Sequence, residues 1–184
     1  MKTKNKIIVM VAGPGAGKGT LSQMLMADGN YKYVGVGALL RAFPKNSDVI
    51  KIISSGNFAP DNITCDLVRA EIVGKHDFIL DGFPRNLYQA KWLIANYADK
   101  YDVCIIYMSV PTDVMIMRIN KRLCDGAGRA DDADAEIIAR RIKNYTDITL
   151  PAIEWLRVVP KIRFYEIDAS TTPVEIYSKI KSVL

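Results

Sequence analysis

Gly13-Pro14-Gly15-Ala16-Gly17-Lys18-Gly19-Thr20 is the stretch of this chain whose residue types and spacing carry the clearest chemistry. Glycines let successive backbone N–H groups converge on an anion, and a helix opening at the end of such a loop adds its partial positive charge. A contact of that kind is worth about 0.3–1 kcal/mol, and up to ~2 when partly buried. Lys18 adds a full charge beside the bound phosphate. The strict phosphate-loop pattern is G-x-x-x-x-G-K-[ST]. Here Ala12 takes the first glycine position, Gly19 stands where the metal-binding hydroxyl belongs, and Thr20 comes one residue late. With no side chain at that hydroxyl position, a Mg²⁺ ion has to be held mainly by phosphates and water. Asp81, which ends the apolar run Phe78-Ile79-Leu80, is the carboxylate placed to hold those waters.

Asp81 also opens Asp81-Gly82-Phe83-Pro84-Arg85, followed by Gln89 and Ala90. Strand C-termini are where ligands bind in open α/β sheets. An acid and an arginine leaving one strand end therefore bring a metal-side carboxylate and a phosphate fork to one crevice. Arg118 and Arg122 are four residues apart and share a helix face. Taken singly, these arginines read as solvated surface charges; taken with the glycine loop, they read as a set that neutralises phosphates. Phosphoryl transfer asks little covalent work of a protein, and one well-placed arginine can be worth on the order of 10³–10⁵ in rate.

The elements that must position these groups follow from the hydrophobic pattern. Ile7 to Val11 is a continuous apolar run bounded by the glycine turn, the pattern of a buried parallel strand. Four more strands are predicted at Tyr31 to Val36, Phe78 to Leu80, Val103 to Met108 and Arg163 to Ile167. Helices are predicted over Thr20 to Met26, Leu87 to Tyr97, Val114 to Leu123, Ala135 to Leu156 and Pro173 to Val183. Thr112 or Asp113 is expected to cap the third of these, and Pro151 to kink or break the fourth. The alternation implies an α/β fold with a parallel sheet covered on both faces. Two stretches fit it badly. Arg41 to Val73 is polar and broken by Pro44, Gly56 and Pro60, which suggests a small helical insertion; Cys124 to Arg129 is a glycine-rich loop between helices. Moving parts are expected in both.

Composition narrows the class. The 184 residues, 49% hydrophobic and 24% charged, suit a single folded domain over 1–184 and exclude a disordered chain. The net charge of +5 allows a nucleic-acid binder, but there is no long Lys/Arg block and no interleaving with aromatics. A pocket lined by Arg and Lys for small polyanions fits better. Cys65, Cys104 and Cys124 are odd in number and widely spaced, which argues against a disulfide framework and suits a reducing cytosol. The apolar run after the basic Met1 to Lys6 is too short for a signal sequence or a membrane span, so a soluble cytoplasmic protein is expected. His76, the only histidine, lies in a turn, and Trp92 and Trp155 lie in helices as packing residues.

Gly13 to Thr20, Leu80-Asp81-Gly82-Phe83-Pro84-Arg85-Asn86-x-x-Gln89-Ala90 and Gly128-Arg129-Ala130-Asp131-Asp132, in that order, resemble the adenylate kinases among the nucleoside monophosphate kinases. The resemblance covers essentially the whole chain. It implies a P-loop three-layer fold with a five-stranded parallel sheet, a monophosphate-binding insertion at 36–65 and a short lid at 123–132. It implies the reaction ATP + AMP ⇌ 2 ADP with Mg²⁺, and no nucleic-acid or membrane partner in a monomeric enzyme. By position, ATP is expected on Gly13, Gly15, Ala16, Gly17, Lys18, Gly19, Thr20 and Arg118, with Arg118 and Arg122 at the lid hinge on the base and the phosphates. AMP is expected on Gly37, Arg41, Ala59, Gly82, Arg85 and Gln89, with Arg41 and Arg85 on its phosphate and Gln89 on the adenine edge. The catalytic set is Lys18, Arg85, Arg122, Arg129 and Arg141; the match for Arg141 requires one extra residue after Asp132, which leaves Arg140 as the alternative. Relatives with longer lids can carry a four-cysteine zinc site, and one cysteine here excludes zinc. Asp131 and Asp132 are expected to cap the next helix or to pair with lid arginines.

The chain also departs from the family pattern. Val36-Gly37-Ala38 replaces the usual Thr-Gly-Asp, and Leu21 replaces a glutamine. These changes remove a hydroxyl near the monophosphate nucleoside and a carboxylate near the metal waters. They leave open a kinase for UMP, CMP or another monophosphate, and a nucleotide-binding relative with weakened turnover.

Overall fold

The structure, a computed structural model, describes residues 4–126, 128 and 134–184. Its sheet contains β1 (Lys6–Ala12), β2 (Tyr31–Gly35), β3 (Asp77–Asp81), β4 (Asp102–Ser109) and β5 (Arg163–Asp168), all parallel, in the order β2-β3-β1-β4-β5. Ile7, Ile8, Val9 and Met10 of the central strand are fully buried, because helices cover both faces and no position alternates outward. β1 leads away to β2 on one side, while its neighbour β3 leads across to β4 on the other. That reversal opens a crevice at the C-terminal ends of β1 and β3. The register pairs Met10 with Asp81 and Ala12 with Met108, so the glycine loop and the acid leave the sheet side by side.

The helices are α1 (Lys18–Asp28), α2 (Val36–Arg41), α3 (Asp48–Ser54), α4 (Asp61–Glu71), α5 (Leu87–Tyr97), α6 (Thr112–Cys124), α7 (Ala135–Asn144), α8 (Leu150–Arg157) and α9 (Pro173–Val183). The awkward stretch after β2 is thus three short helices, α2 to α4, before the chain returns to β3. The second strand ends at Gly35 rather than Val36: Gly35 is the last residue in register with β3, and Val36 opens α2.

Two expectations about helix ends are corrected. Neither Thr112 nor Asp113 caps α6; both lie in its first turn, Pro111 is the cap residue, and no side chain caps it. Proline fixes φ at that position and offers no side-chain acceptor. The helical region from Ala135 to Leu156 is broken rather than kinked, and the break falls before Pro151 instead of at it. A π-helical turn, Tyr145–Thr149, separates α7 from α8, and Pro151 sits in the first two positions of α8. Proline has no N–H for the carbonyl four residues back, so the turn before it widens and the new helix starts where that missing donor costs little. Asp134 caps α7, accepting from Glu136 N at 2.8 Å and Ile137 N at 3.3 Å. Asp131 and Asp132 lie outside the described residues. No helix among the described residues is long and apolar enough to cross a membrane.

Candidate active site

A cavity of about 450 Å³ opens at the crevice above β1 and β3. Its floor is the glycine loop. Gly15 and Gly17 have φ of +76° and +84°, the left-handed region that glycine alone enters cheaply. Gly15 is doubly required, because a Cβ there would lie 2.6 Å from the Met115 carbonyl of α6. Gly17, Gly19 and Thr20 are exposed on the cavity side, Ala16 is buried beneath them, and all four line the space with Gly15 and Lys18. Gly13 does not reach the cavity wall. It is buried, and a Cβ would come within 2.6 Å of the Met115 side chain, so it provides clearance under the loop. The Lys18 ammonium donates to the Ala12 carbonyl at 3.1 Å and the Gly13 carbonyl at 3.4 Å, which holds it across the loop it opens from.

Arg41, Arg85, Arg118, Arg122 and Arg141 also line this cavity, and Asp81 is the carboxylate among its lining residues. With Lys18 they come from α1, α2, the loop after β3, α6 and α7. Arg41 ends α2 and lies over Gly37, where a Cβ would sit 3.2 Å from its guanidinium. Arg85 donates from Nε to the Gly82 carbonyl at 2.9 Å and stacks over Phe58 at 5.6 Å. Arg118 donates to three carbonyls of the β5–α9 loop, those of Ala169, Ser170 and Thr171, at 2.7, 3.0 and 3.2 Å. Six cations around one anion make a site for polyanions. Of Arg140 and Arg141, it is Arg141 that lines the cavity, whereas Arg140 donates to the Ser55 carbonyl at 2.8 Å. Arg129 lies outside the described residues.

A smaller cavity of about 80 Å³ adjoins the first and shares Gly37, Arg41, Phe58, Gly82, Arg85 and Arg141 as walls. Ala59 and Gln89 line it. Gln89 is buried with its amide bonded on both sides: Oε1 accepts from Arg85 N at 2.8 Å, and Nε2 donates to Asp61 Oδ1 at 2.8 Å.

Four further wall residues escape the sequence reading. Tyr33 donates its hydroxyl to Asp81 Oδ2 at 2.9 Å. Its ring lies over Gly35, where a Cβ would come within 2.7 Å of it. Residues two apart on a strand share a face, so Tyr33-x-Gly35 is a readable signal. Phe58 stands between the two cavities. Thr149 in the π turn donates to the Arg85 carbonyl at 2.8 Å. Tyr145, in the same turn, is buried against Tyr107 with their hydroxyls 3.0 Å apart; burial first, and then that hydrogen bond, push its phenol well above the usual range and keep it protonated.

Among the described residues no three His, Cys, Asp or Glu side chains gather to cage a metal. A lone carboxylate beside a cationic floor suits a divalent ion that arrives on phosphates and touches the protein through water.

A parallel sheet with a glycine loop after its central strand, and arginines converging from several elements on two joined cavities, defines a phosphoryl-transfer enzyme acting on nucleotides. The family described as adenylate kinase matches residues 10–159. The chain is 36% identical over 183 aligned residues to the adenylate kinase of Rhodopirellula baltica, covering 94% of this chain and 92% of that one. It is 33% identical to the adenylate kinase of Tropheryma whipplei, over 95% of each, and 30% identical to the UMP-CMP kinase of Bos taurus, over 98% and 97%. The chain belongs to the adenylate kinase family.

Proposed function

We propose that this enzyme catalyses the reversible, Mg²⁺-dependent reaction ATP + AMP ⇌ 2 ADP. The observation that carries this reading is the pair of joined cavities with Arg41, Arg85 and Arg141 in their shared wall. The larger has room for a triphosphate on the loop, and the smaller sits behind it with an amide for a base. A terminal phosphoryl group at the seam is in reach of a second nucleotide's phosphate. The new P–O bond forms to an AMP phosphate oxygen as the bond to the leaving ADP oxygen breaks.

In this reading the loop N–H groups of Gly13 to Thr20 and Lys18 hold the ATP phosphates, and Arg118, fixed by three carbonyls, borders the ATP base. Arg41 and Arg85 clamp the AMP phosphate, with Gly37, Ala59, Gly82 and Gln89 around its nucleoside. Arg122, Arg141 and Arg129 gather on the transferred group. Segments 36–65 and 123–132 act as insertion and lid, excluding water that would otherwise accept the phosphoryl group. Asp81, with Tyr33 on its second oxygen, orients the metal's waters; the metal itself would supply charge neutralisation between the phosphates. The enzyme works as a cytoplasmic monomer with neither nucleic acid nor membrane as partner.

The test is a coupled assay of ADP formation from ATP-Mg²⁺ with AMP, UMP, CMP and GMP in parallel. AMP is expected to be turned over best. No turnover with any monophosphate would leave only nucleotide binding, and a preference for UMP or CMP would displace the role of Gln89. Lys18→Met is expected to lower kcat by about 10³-fold or more while the thermal midpoint stays within a few degrees. Retained activity would remove Lys18 from the chemistry.

A further inference from the structure

Gln89 is an amide whose two ends look alike in size and differ only in chemistry. Rotated by half a turn, it exchanges a donor for an acceptor. In this chain the rotation is decided by two groups that cannot change sides. The Arg85 backbone N–H can only donate, and it meets Oε1 at 2.8 Å; Asp61 Oδ1 can only accept, and it meets Nε2 at 2.8 Å. A flipped amide would set N–H against N–H and oxygen against carboxylate. Each contact uses one valence, so the amide keeps one N–H and one lone pair in a fixed order beside the smaller cavity that Gln89 lines.

That order matters for base choice. Adenine offers an amino donor beside a ring-nitrogen acceptor, whereas uracil offers a carbonyl acceptor beside a ring N–H. One orientation of an amide pairs with the first, and the flipped orientation pairs with the second. We propose that Asp61 is a specificity-determining positioning residue: by accepting from Gln89 Nε2, it locks the amide in the orientation that reads adenine and rejects uracil. This rests on the reading of the smaller cavity as the monophosphate site.

Asp61 is itself held. Asn86 Nδ2 donates to the same Oδ1 at 2.8 Å, and Asn86 Oδ1 accepts from Gln89 N at 2.9 Å. Asp61 opens α4, and Asn86 caps α5. The lock therefore closes between the start of α4 and the start of α5. A carboxylate placed only to favour a helix start would need neither donor.

The test measures kcat and KM for AMP and UMP in wild type, Asp61→Asn and Asp61→Leu, with thermal unfolding of each. Asp61→Asn keeps an oxygen for both donors and is expected to stay within about threefold of wild type. Asp61→Leu is expected to lower the AMP-to-UMP ratio of kcat/KM about tenfold, mostly through a higher KM for AMP, with kcat for AMP within about threefold. Where Asp61→Leu does not fold, Asp61→Ser carries the same comparison, because serine suits a helix start but is too short to reach Gln89. An unchanged ratio with a uniform loss on both monophosphates overturns the inference and leaves Asp61 a structural tie. A wild-type enzyme that does not turn over AMP, or that prefers UMP, overturns the assignment of the smaller cavity as well, so the two failures are distinguishable.

Discussion

Gly19 is a glycine that its backbone does not need. Its φ is not positive, and a Cβ there would meet nothing within 4 Å. In the first turn of α1 it costs up to about 1 kcal/mol against alanine. A methyl at that point would stand in the cavity, where a phosphate has to come close to the backbone. Gly19→Ala is therefore expected to raise the thermal midpoint by about 2–4 °C while lowering kcat/KM for ATP about tenfold or more. Calorimetry and the ADP assay together check this; a variant both stabilised and fully active would show that no ligand approaches there. The sequence already marked Gly19 as unusual, because a motif position lacked its hydroxyl. Tyr33 was marked only by its spacing to Gly35 on the same strand face, and Phe58 carried no mark at all. Each is one aromatic among fourteen Phe and Tyr residues, and its place on the cavity depends on Asp81 or Arg85, many residues away along the chain.

At the level of elements, the strands were legible because a parallel strand buried on both faces is written as an unbroken apolar run. Their ends were less so. Asp77, Asp81, Asp102 and Ser109 complete strands through ladder hydrogen bonds that polar side chains do not reveal. The α7–π–α8 break was half legible: Pro151 announced an interruption but not that it would fall before the proline. Nothing in the sequence announced that α7 and the end of α3 are tied. Arg140 and Asn144 donate to the carbonyls of Ser55 and Gly56 at 2.8 and 3.0 Å, and Gly56 lies close under Ile137. These carbonyls end a helix, where a cation is favoured. Arg140→Ala is expected to raise hydrogen exchange across residues 48–60 and to raise the KM for the monophosphate about two- to fivefold at unchanged kcat. A drop in kcat alone would instead place Arg140 in the chemistry beside Arg141.

At the level of the whole molecule, the phosphate loop and Asp81 hang from adjacent strands of one sheet, and the cations arrive from four helices and the loop after β3. Sheet core and site should then respond separately to substitution. Ile8 is fully buried and paired through β1 with both β3 and β4. Ile8→Ala is expected to cost about 2–5 kcal/mol, a large part of the roughly 5–15 kcal/mol typical of a domain. Below its lowered midpoint, the folded fraction should keep wild-type KM values. Denaturant titration and steady-state kinetics measure the two effects independently; a large change in KM would mean that the core tunes the site directly. The fold class was readable from the alternation of elements, and much of the cavity lining from the glycine loop, the Asp81 to Arg85 motif and the Arg118 and Arg122 pair. The joining of two cavities was not, because it depends on how segment 36–65 folds back over Gly82 and Arg85.

The register of β1 has one more consequence. Met10 opposite Asp81 and Ala12 opposite Met108 are held by backbone hydrogen bonds on both edges of the strand, while the buried side chains select this register over its neighbours. The ladder acts as a ruler whose graduations are peptide units. A slip of one residue would turn the strand's side chains to the opposite face and carry the loop past the acid. Intermediate spacings do not exist. The pairing of the strands that carry the phosphate-binding loop and Asp81 is therefore digital: it is kept whole or lost by a whole residue.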